Sequence, residues 1–416
     1  MTLLYCEWHF GTTPVREGVP YGYELGQVAR SIAAGEGFSS PLRMVHTGAT
    51  VWFTPIYPYL VAGIFKLWGI YSDKSHIIIE TLNCATSALT VIPIYAIGKR
   101  TFGRRVSVAA SWIWVFLPTA LYFPIVWVWD TSLTALLFAL IFWATLAIRT
   151  ERRVLLWAGY GALCVVGVLT NPSVLAPLPF LAVWLVLDAR KRGSPWVLPV
   201  SVATLVFVVG LIPWTVRNYE VFGKVIVLRS NFGLELWLGN NPQATDTGSP
   251  WMHPNDNLAE AEKYMQMGEI AYMAEKQREA LRFIRTHPAW TLNLIFHRFV
   301  YTWLTVSDTP IDSWLDGPLY IKGLLVLSWS IALLSLLGVL FAYRSRLPEA
   351  APFGLVLLTF PLVYYVTHSS TLRYRFPMDP IMVLLAAHGV AYLVSLARHR
   401  KTSLDPTEPV PSISAD

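Results

Sequence analysis

Apolar residues run through most of this chain in blocks of about 17 to 25, the length that crosses a bilayer as a helix. The blocks fall near 76–98, 104–124, 130–149, 153–169, 172–188, 196–215, 318–343, 350–367 and 379–397, and each predicts a membrane span. Basic clusters sit at alternate junctions: Lys99-Arg100 with Arg104-Arg105, Arg149 with Arg152-Arg153, Arg190-Lys191-Arg192, Arg344 with Arg346, and Arg398 to Lys401. Positive charge at alternate junctions marks the cytoplasmic side. The intervening loops, with residues 1–75 and 216–317, therefore face outward. An outer N-terminus of that length calls for a preceding span or a signal peptide. Met1 to Phe10 offers neither a basic n-region nor a long apolar run, so the expectation is a further helix ahead of it.

Five regions follow. Residues 1–75 form an outer N-terminal loop with juxtamembrane helices, 76–215 a first transmembrane bundle, and 216–317 a large periplasmic loop with amphipathic helices. Residues 318–397 form a second bundle and 398–416 a cytoplasmic tail, whose Pro, Ser and acidic content from Leu404 predicts disorder. Glu24 to Ala34 reads as an amphipathic helix with Leu25, Val28, Ala29 and Ile32 on one side, stopped at Gly35 and Gly37. Ile56 to Trp68 is apolar but short, as suits an interfacial or re-entrant helix. Leu258 to His287 reads as one charged helix, with Glu262, Lys263, Glu269, Glu275, Lys276 and Glu279 near i,i+4 spacing. Pro288 breaks it, and Ala289 to Trp303 predicts another interfacial helix.

Composition agrees with a polytopic membrane protein. Hydrophobic residues are 54% and charged residues 14%, well below the charge of an ordinary soluble globule. The net charge of +6 resides in the junction clusters, not on one soluble surface, so no nucleic-acid partner is expected. Cys6, Cys84 and Cys164 make no disulfide framework and no CxxC pair. No internal repeat shows at a fixed period, and the spans carry almost no ionisable residues. A transporter built on inverted repeats would place polar groups at mid-membrane. Chemistry is expected at the outer boundary instead.

Two carboxylates stand out there. Glu24 opens the first outer helix, and Asp130 follows Trp127-Val128-Trp129 at the outer end of a span. A carboxylate at a low-dielectric boundary can act as a general base. Each also has a plainer reading, Asp130 as a helix N-cap and Glu24 as a first-turn acid. The second group is basic: Arg217, Arg229, Arg373 and Arg375 lie on the outer side, where positive charge is disfavoured, and could hold a lipid-linked phosphate. Snorkelling to the interface is their alternative role. The run Phe232 to Pro242 supplies Trp237, Asn240 and Asn241, which could line a sugar site or form a structural turn. Asn171-Pro172 reads as an architectural break between spans. The histidines His46, His253, His287, His297 and His368 show no metal-ligand spacing, so no metal is predicted, although an outer carboxylate pair could hold a divalent cation.

These residues in this order resemble the integral-membrane GT-C glycosyltransferases, and among them the bacterial protein O-mannosyltransferase and aminoarabinose-transferase-like group. The resemblance runs from Tyr23-Glu24 through Ala29-Arg30, Gly35-Glu36-Gly37-Phe38 and Pro55-Ile56-Tyr57-Pro58. It continues through Trp129-Asp130-Thr131-Ser132, Thr170-Asn171-Pro172 and Pro213-Trp214 with Arg217-Asn218, to Arg373-Tyr374-Arg375-Phe376-Pro377. It implies an all-α bundle of about nine to eleven transmembrane helices with outer-face juxtamembrane helices. It also implies transfer of a sugar from a polyprenyl-phosphate-linked donor to a glycan, lipid or protein acceptor, on the periplasmic or extracellular face of a bacterial inner membrane. In that family the key carboxylate lies in the first outer loop, where Glu24 matches with Glu in place of the common Asp. A second carboxylate lies in the next outer loop, where Asp130 falls. The aminoarabinose-type enzymes carry a phosphate-contacting lysine that Trp52-Phe53-Thr54-Pro55 lacks, which moves the phosphate role to the arginines; Tyr57, in the neighbouring motif, is the remaining candidate substrate contact. The implied reaction is an inverting single displacement with Glu24 as base and Asp130 assisting. The competing functions are a transporter or flippase for a lipid-linked saccharide, and a non-catalytic binding subunit.

Overall fold

The computed structural model describes residues 20–245, 248–304, 319–367 and 372–404. His368, Ser370 and Thr371, the stretch 305–318, the first 19 residues with Cys6, and the tail from 405 lie outside the described residues. Helix is the dominant element, and among the described residues the extended pairings are two isolated bridges, Ser39 with Ala49 and Thr245 with Gly248.

Among the described residues, six helices are long and apolar enough to cross a membrane: Asp73–Thr101, Thr131–Ile148, Pro172–Lys191, Val197–Phe222, Lys322–Arg344 and Leu372–Arg398. Arg104–Phe116 and Pro118–Val126 make a seventh as a pair bent by 42°. The bend has a local cause, since Leu117 precedes a proline and is held extended at ψ 119°, away from the helical region. The remaining predicted spans, near 153–169 and 350–367, are the shorter apolar helices Val154–Thr170 and Ala350–Val366. Successive helices reverse direction, so the basic junctions gather at one end of the bundle.

Burial sorts the helices into layers. Two thirds of Thr131–Ile148 is buried inside the protein, whereas only 22% of Val197–Phe222 is. The first is a core helix and the second turns most of its apolar surface to lipid. The segment Ile381 to Leu385 is fully buried. Its helix packs on Lys322–Arg344 so closely that a Cβ on Gly338 would lie 2.1 Å from the Leu385 carbonyl oxygen. In lipid, helices associate by van der Waals fit between small residues rather than by hydrophobic exclusion.

A helical cap covers the other end. It is built from residues 20–72 and 223–304 around a core containing Leu42, Trp52, Leu234, Trp237, Tyr264 and Tyr272. The charged stretch after Leu258 differs from its sequence reading. It is two helices, Leu258–Met267 and Glu269–Thr286, joined at Gly268, whose φ of 75° favours glycine. Nor do its charges form solvated i,i+4 rungs. Lys276 is buried, pairs with Glu260 of the preceding helix at 2.9 Å, and sits 3.5 Å over the Trp237 ring. Glu269 is buried too, and accepts from the hydroxyls of Thr50, Ser230 (2.5 Å) and Tyr264 (2.7 Å) and from the Val51 N–H (2.9 Å). That one carboxylate joins three stretches of the cap. The helix Pro288–Leu304 exposes Trp290, Leu292, Phe296 and Phe299, as an interfacial helix should.

Candidate active site

Between cap and bundle lies a cleft of about 250 Å³, lined by Glu24, Asp130, Arg229 and Arg373 together with Tyr23, Trp127 and Trp129. Four of the sequence candidates thus meet, although they come from segments far apart in the chain.

Asp130 stands at the corner between Pro118–Val126 and Thr131–Ile148. Its carbonyl oxygen takes the Thr134 N–H at 2.8 Å, but its side chain makes no capping bond. The N-cap reading therefore accounts for the backbone and leaves the carboxylate unexplained. Oδ2 accepts from Asn171 Nδ2 at 3.0 Å, while Oδ1 is buried with no hydrogen-bond partner among the described residues. Such orphaned acceptors are rare because each costs its full desolvation. Burial pushes the carboxyl up to about 6, against the opposing pull of the Asn171 hydrogen bond and the charges of Arg229 and Arg373.

Glu24 enters from the other wall. Gly22 (φ 78°) and Tyr23 (φ 46°) are both left-handed and swing the chain into the helix Tyr23–Ala33, whose first turn presents Glu24. A left-handed tyrosine is held at a cost of about 1 kcal/mol or more. Its ring stacks 5.9 Å from Trp127, with the Arg43 guanidinium 5.5 Å from its centroid. Glu24 Oε1 accepts from Asn255 Nδ2 and lies 3.6 Å from His253 Nδ1. His253 Nδ1 also takes the Asn255 N–H at 3.1 Å, so Asn255 bonds both side chains.

Arg373 is held among aromatic faces, 5.0 Å from Trp127, 5.1 Å from Trp129 and 4.8 Å from Tyr374, and donates to the Tyr374 hydroxyl at 2.8 Å. The ring faces help to hold the cation beside the cleft.

The other candidates are not brought to the cleft. Arg217 donates to the carbonyls of Thr50 (2.7 Å) and Phe38 (3.0 Å) and ties the cap to a span. Arg375, 2% exposed, spends four of its five N–H groups on Asp379, Thr302, Trp303 and Ser328 and lies outside the cleft lining. Tyr57 is fully buried and donates to Asn83 Oδ1 at 2.9 Å. Trp237 lies under Lys276. Asn240 donates to the Leu236 and Val366 carbonyls, and Asn241 caps the turn by accepting the Gln243 N–H at 2.8 Å. Of the 232–242 run, Phe232, Glu235 and Leu238 line the cleft, whereas Trp237, Asn240 and Asn241 do not.

Sequence reasoning passed over Asn171, Ser173, Asn231, His253 and Tyr364, all of which line the cleft. The aromatic pair Trp127 and Trp129 flanking an acid was the available signal for a built wall. No group of three His, Cys, Asp or Glu placed to hold a metal occurs among the described residues. Glu24 with His253 is the nearest to a ligand set, and two donors alone do not make one.

Residues 53–214 match the family model described as dolichyl-phosphate-mannose-protein mannosyltransferase. No curated protein matches the chain. Among solved structures, the archaeal oligosaccharyltransferase AglB from Archaeoglobus fulgidus, in complex with an inhibitory peptide and a dolichol-phosphate, is similar at a TM-score of 0.54 and 12% identity. That match covers 97% of this chain and 49% of the other, so this chain spans about half the length of the enzyme it resembles. The apo form of the Archaeoglobus fulgidus oligosaccharyltransferase matches equally, at 0.54 and 12%. ArnT from Cupriavidus metallidurans bound to undecaprenyl phosphate is similar at 14% identity over 96% of this chain and 79% of that one, with a TM-score of 0.39. The likeness to the mannosyltransferase model covers residues 53–214, and the likeness in fold to the oligosaccharyltransferase runs along nearly the whole chain.

Proposed function

We propose that this chain, GT-C-like in fold and mannosyltransferase-like in sequence over residues 53–214, transfers a sugar from a polyprenyl-phosphate-linked donor to an acceptor hydroxyl at the outer boundary of the membrane. The observation that carries the reading is the buried, unpartnered Oδ1 of Asp130 in a cleft that also holds two arginines. A carboxyl at about 6 is ionised at neutral pH, yet basic enough to take a proton as it is released. The base is therefore assigned to Asp130, and Glu24, already bonded to Asn255, orients the reacting sugar or the acceptor.

In the proposed step the acceptor oxygen forms a bond to the anomeric carbon as the bond from that carbon to the phosphate oxygen breaks. The acceptor's proton passes to Asp130 Oδ1, and the polyprenyl phosphate leaves with its charge held by Arg229 and Arg373. Preorganised positive charge where negative charge develops is the largest contribution to be expected in such a site. A phosphate leaving group needs no strong general acid, and the lipid tail stays among the apolar spans.

The test is polyprenyl-phosphate release from a panel of lipid-linked sugars, with a cell-envelope extract as acceptor source. Wild type, Asp130→Asn and Glu24→Gln are compared. Acceptor-dependent release that collapses in Asp130→Asn supports the reading, and the active donor names the sugar. Collapse in Glu24→Gln alone would return the base to Glu24. Saturable donor binding with no release from any member would favour a lipid-saccharide transporter or binding subunit.

A further inference from the structure

Asn171 was read in the sequence as part of a break between spans, and it does more than turn the chain. Its Oδ1 accepts both the backbone N–H of Ser173 (3.0 Å) and the Ser173 hydroxyl (2.7 Å). With the carbonyl side of the amide pinned by two donors, the NH₂ side has to face the opposite way, onto Asp130 Oδ2 at 3.0 Å. Because the Ser173 hydroxyl is spent on Asn171, its contact with Tyr364 runs with the tyrosine hydroxyl as donor. Tyr364 belongs to the short helix Leu362–Val366, which lies beyond the cap in sequence. A directed chain of hydrogen bonds thus runs from Tyr364 through Ser173 and Asn171 to one oxygen of Asp130, through four side chains that all line the cleft.

We infer that Asn171 is the positioning residue of this site: its amide, locked in one orientation by Ser173, holds Asp130 Oδ2 and so fixes Oδ1 as the single oxygen offered to substrate. The inference deepens the proposed glycosyl transfer and rests on that reading only for its kinetic consequence. Without the lock, Asp130 could rotate about its Cβ–Cγ bond and present either oxygen, losing the alignment on which near-attack geometry depends. The same bond stabilises the ionised carboxylate, so Asn171 also adjusts the pH at which the base becomes available. The other charged or titratable groups acting on Asp130 are Arg229, Arg373, Tyr57 and Tyr364.

The experiment is an infrared titration of the full-length protein in nanodiscs without donor, following the protonated-carboxyl band that disappears in Asp130→Asn. Asn171→Leu should move its midpoint upward by about one pH unit, the size of one lost hydrogen bond to a carboxylate. Tyr364→Phe, which leaves Asn171 pinned by the Ser173 N–H, should move it upward by less. The acid limb of the transfer rate should shift by the same amounts, with KM for donor changed less than kcat. An unmoved midpoint in folded Asn171→Leu overturns the inference. If that variant fails to fold, a Tyr364→Phe midpoint identical to wild type overturns it instead. Shifted midpoints without transfer from any donor would sink the glycosyltransferase reading and leave the role of Asn171 standing.

Discussion

Two clusters of charge lie at opposite ends of the helix bundle, and they are arranged in contrary ways. At the end where the basic junctions gather, Arg149 grips Asp188 with two 2.8 Å bonds and Glu349 with a third. Arg192 adds a further 2.8 Å bond to Asp188. Those four charges answer one another, and three helices are drawn together. At the capped end, Asp130 keeps one oxygen without a hydrogen-bond partner among the described residues, and Arg373 lies against the faces of Trp127 and Trp129. The same residue types therefore serve cohesion at one end and availability at the other. What separates the two is saturation, which the amount of charge does not reveal.

That contrast can be broken from either side. Asp130→Asn keeps the shape and hydrogen-bonding capacity at the capped end but removes the base, so kcat for sugar transfer should fall about 10³-fold with donor affinity little changed. Steady-state kinetics in detergent check it, and a loss confined to KM would refute the catalytic role. Arg149→Met at the other end should lower stability by about 2–3 kcal/mol, since it strands Glu349 and half of the Asp188 pairing in a largely buried setting. Thermal unfolding measures this, and transfer per folded molecule should stay at the wild-type level. The pH profile sharpens the comparison further. Because the Asp130 carboxyl is raised to about 6 and must be ionised to act, kcat/KM should be flat above that pH and fall tenfold per unit below it. An acid limb near the ordinary carboxylate range would assign the base elsewhere. The smallest effect belongs to Tyr57→Phe, which removes one buried hydrogen bond to Asn83 and should cost about 1 kcal/mol of stability with kcat unchanged.

The same distinction explains what the sequence could and could not disclose. The spans were legible because twenty apolar residues in a row have few other uses, and the helix ends because prolines and basic clusters punctuate them. Glu24, Asp130, Arg229 and Arg373 were legible as charges out of place at an outer boundary. Arg217 and Arg375 looked the same, and nothing local separates them from Arg373. Their partners lie far off in the chain, Phe38 and Thr50 for Arg217, and Thr302, Trp303 and Ser328 for Arg375. Tyr57, Trp237, Asn240 and Asn241 were legible as polar or aromatic residues beside a boundary, but their burial among cap and bundle neighbours was not. The helix break at Gly268 was hidden for a different reason. A charged stretch at helical spacing reads as one solvated helix until a tertiary partner such as Trp237 buries Lys276.

The fourfold-bonded Glu269 has a consequence for how the protein is made. Thr50 and Val51 find their partner in a residue more than two hundred positions later. During synthesis the first half of the bundle can therefore be in the bilayer while the wall bearing Glu24 still lacks the residues that close it. The ribosome must pass residue 269 before the cap can knit. Until then the nascent chain holds its arginines and its open carboxylate apart. It has no assembled cleft until that closure is complete.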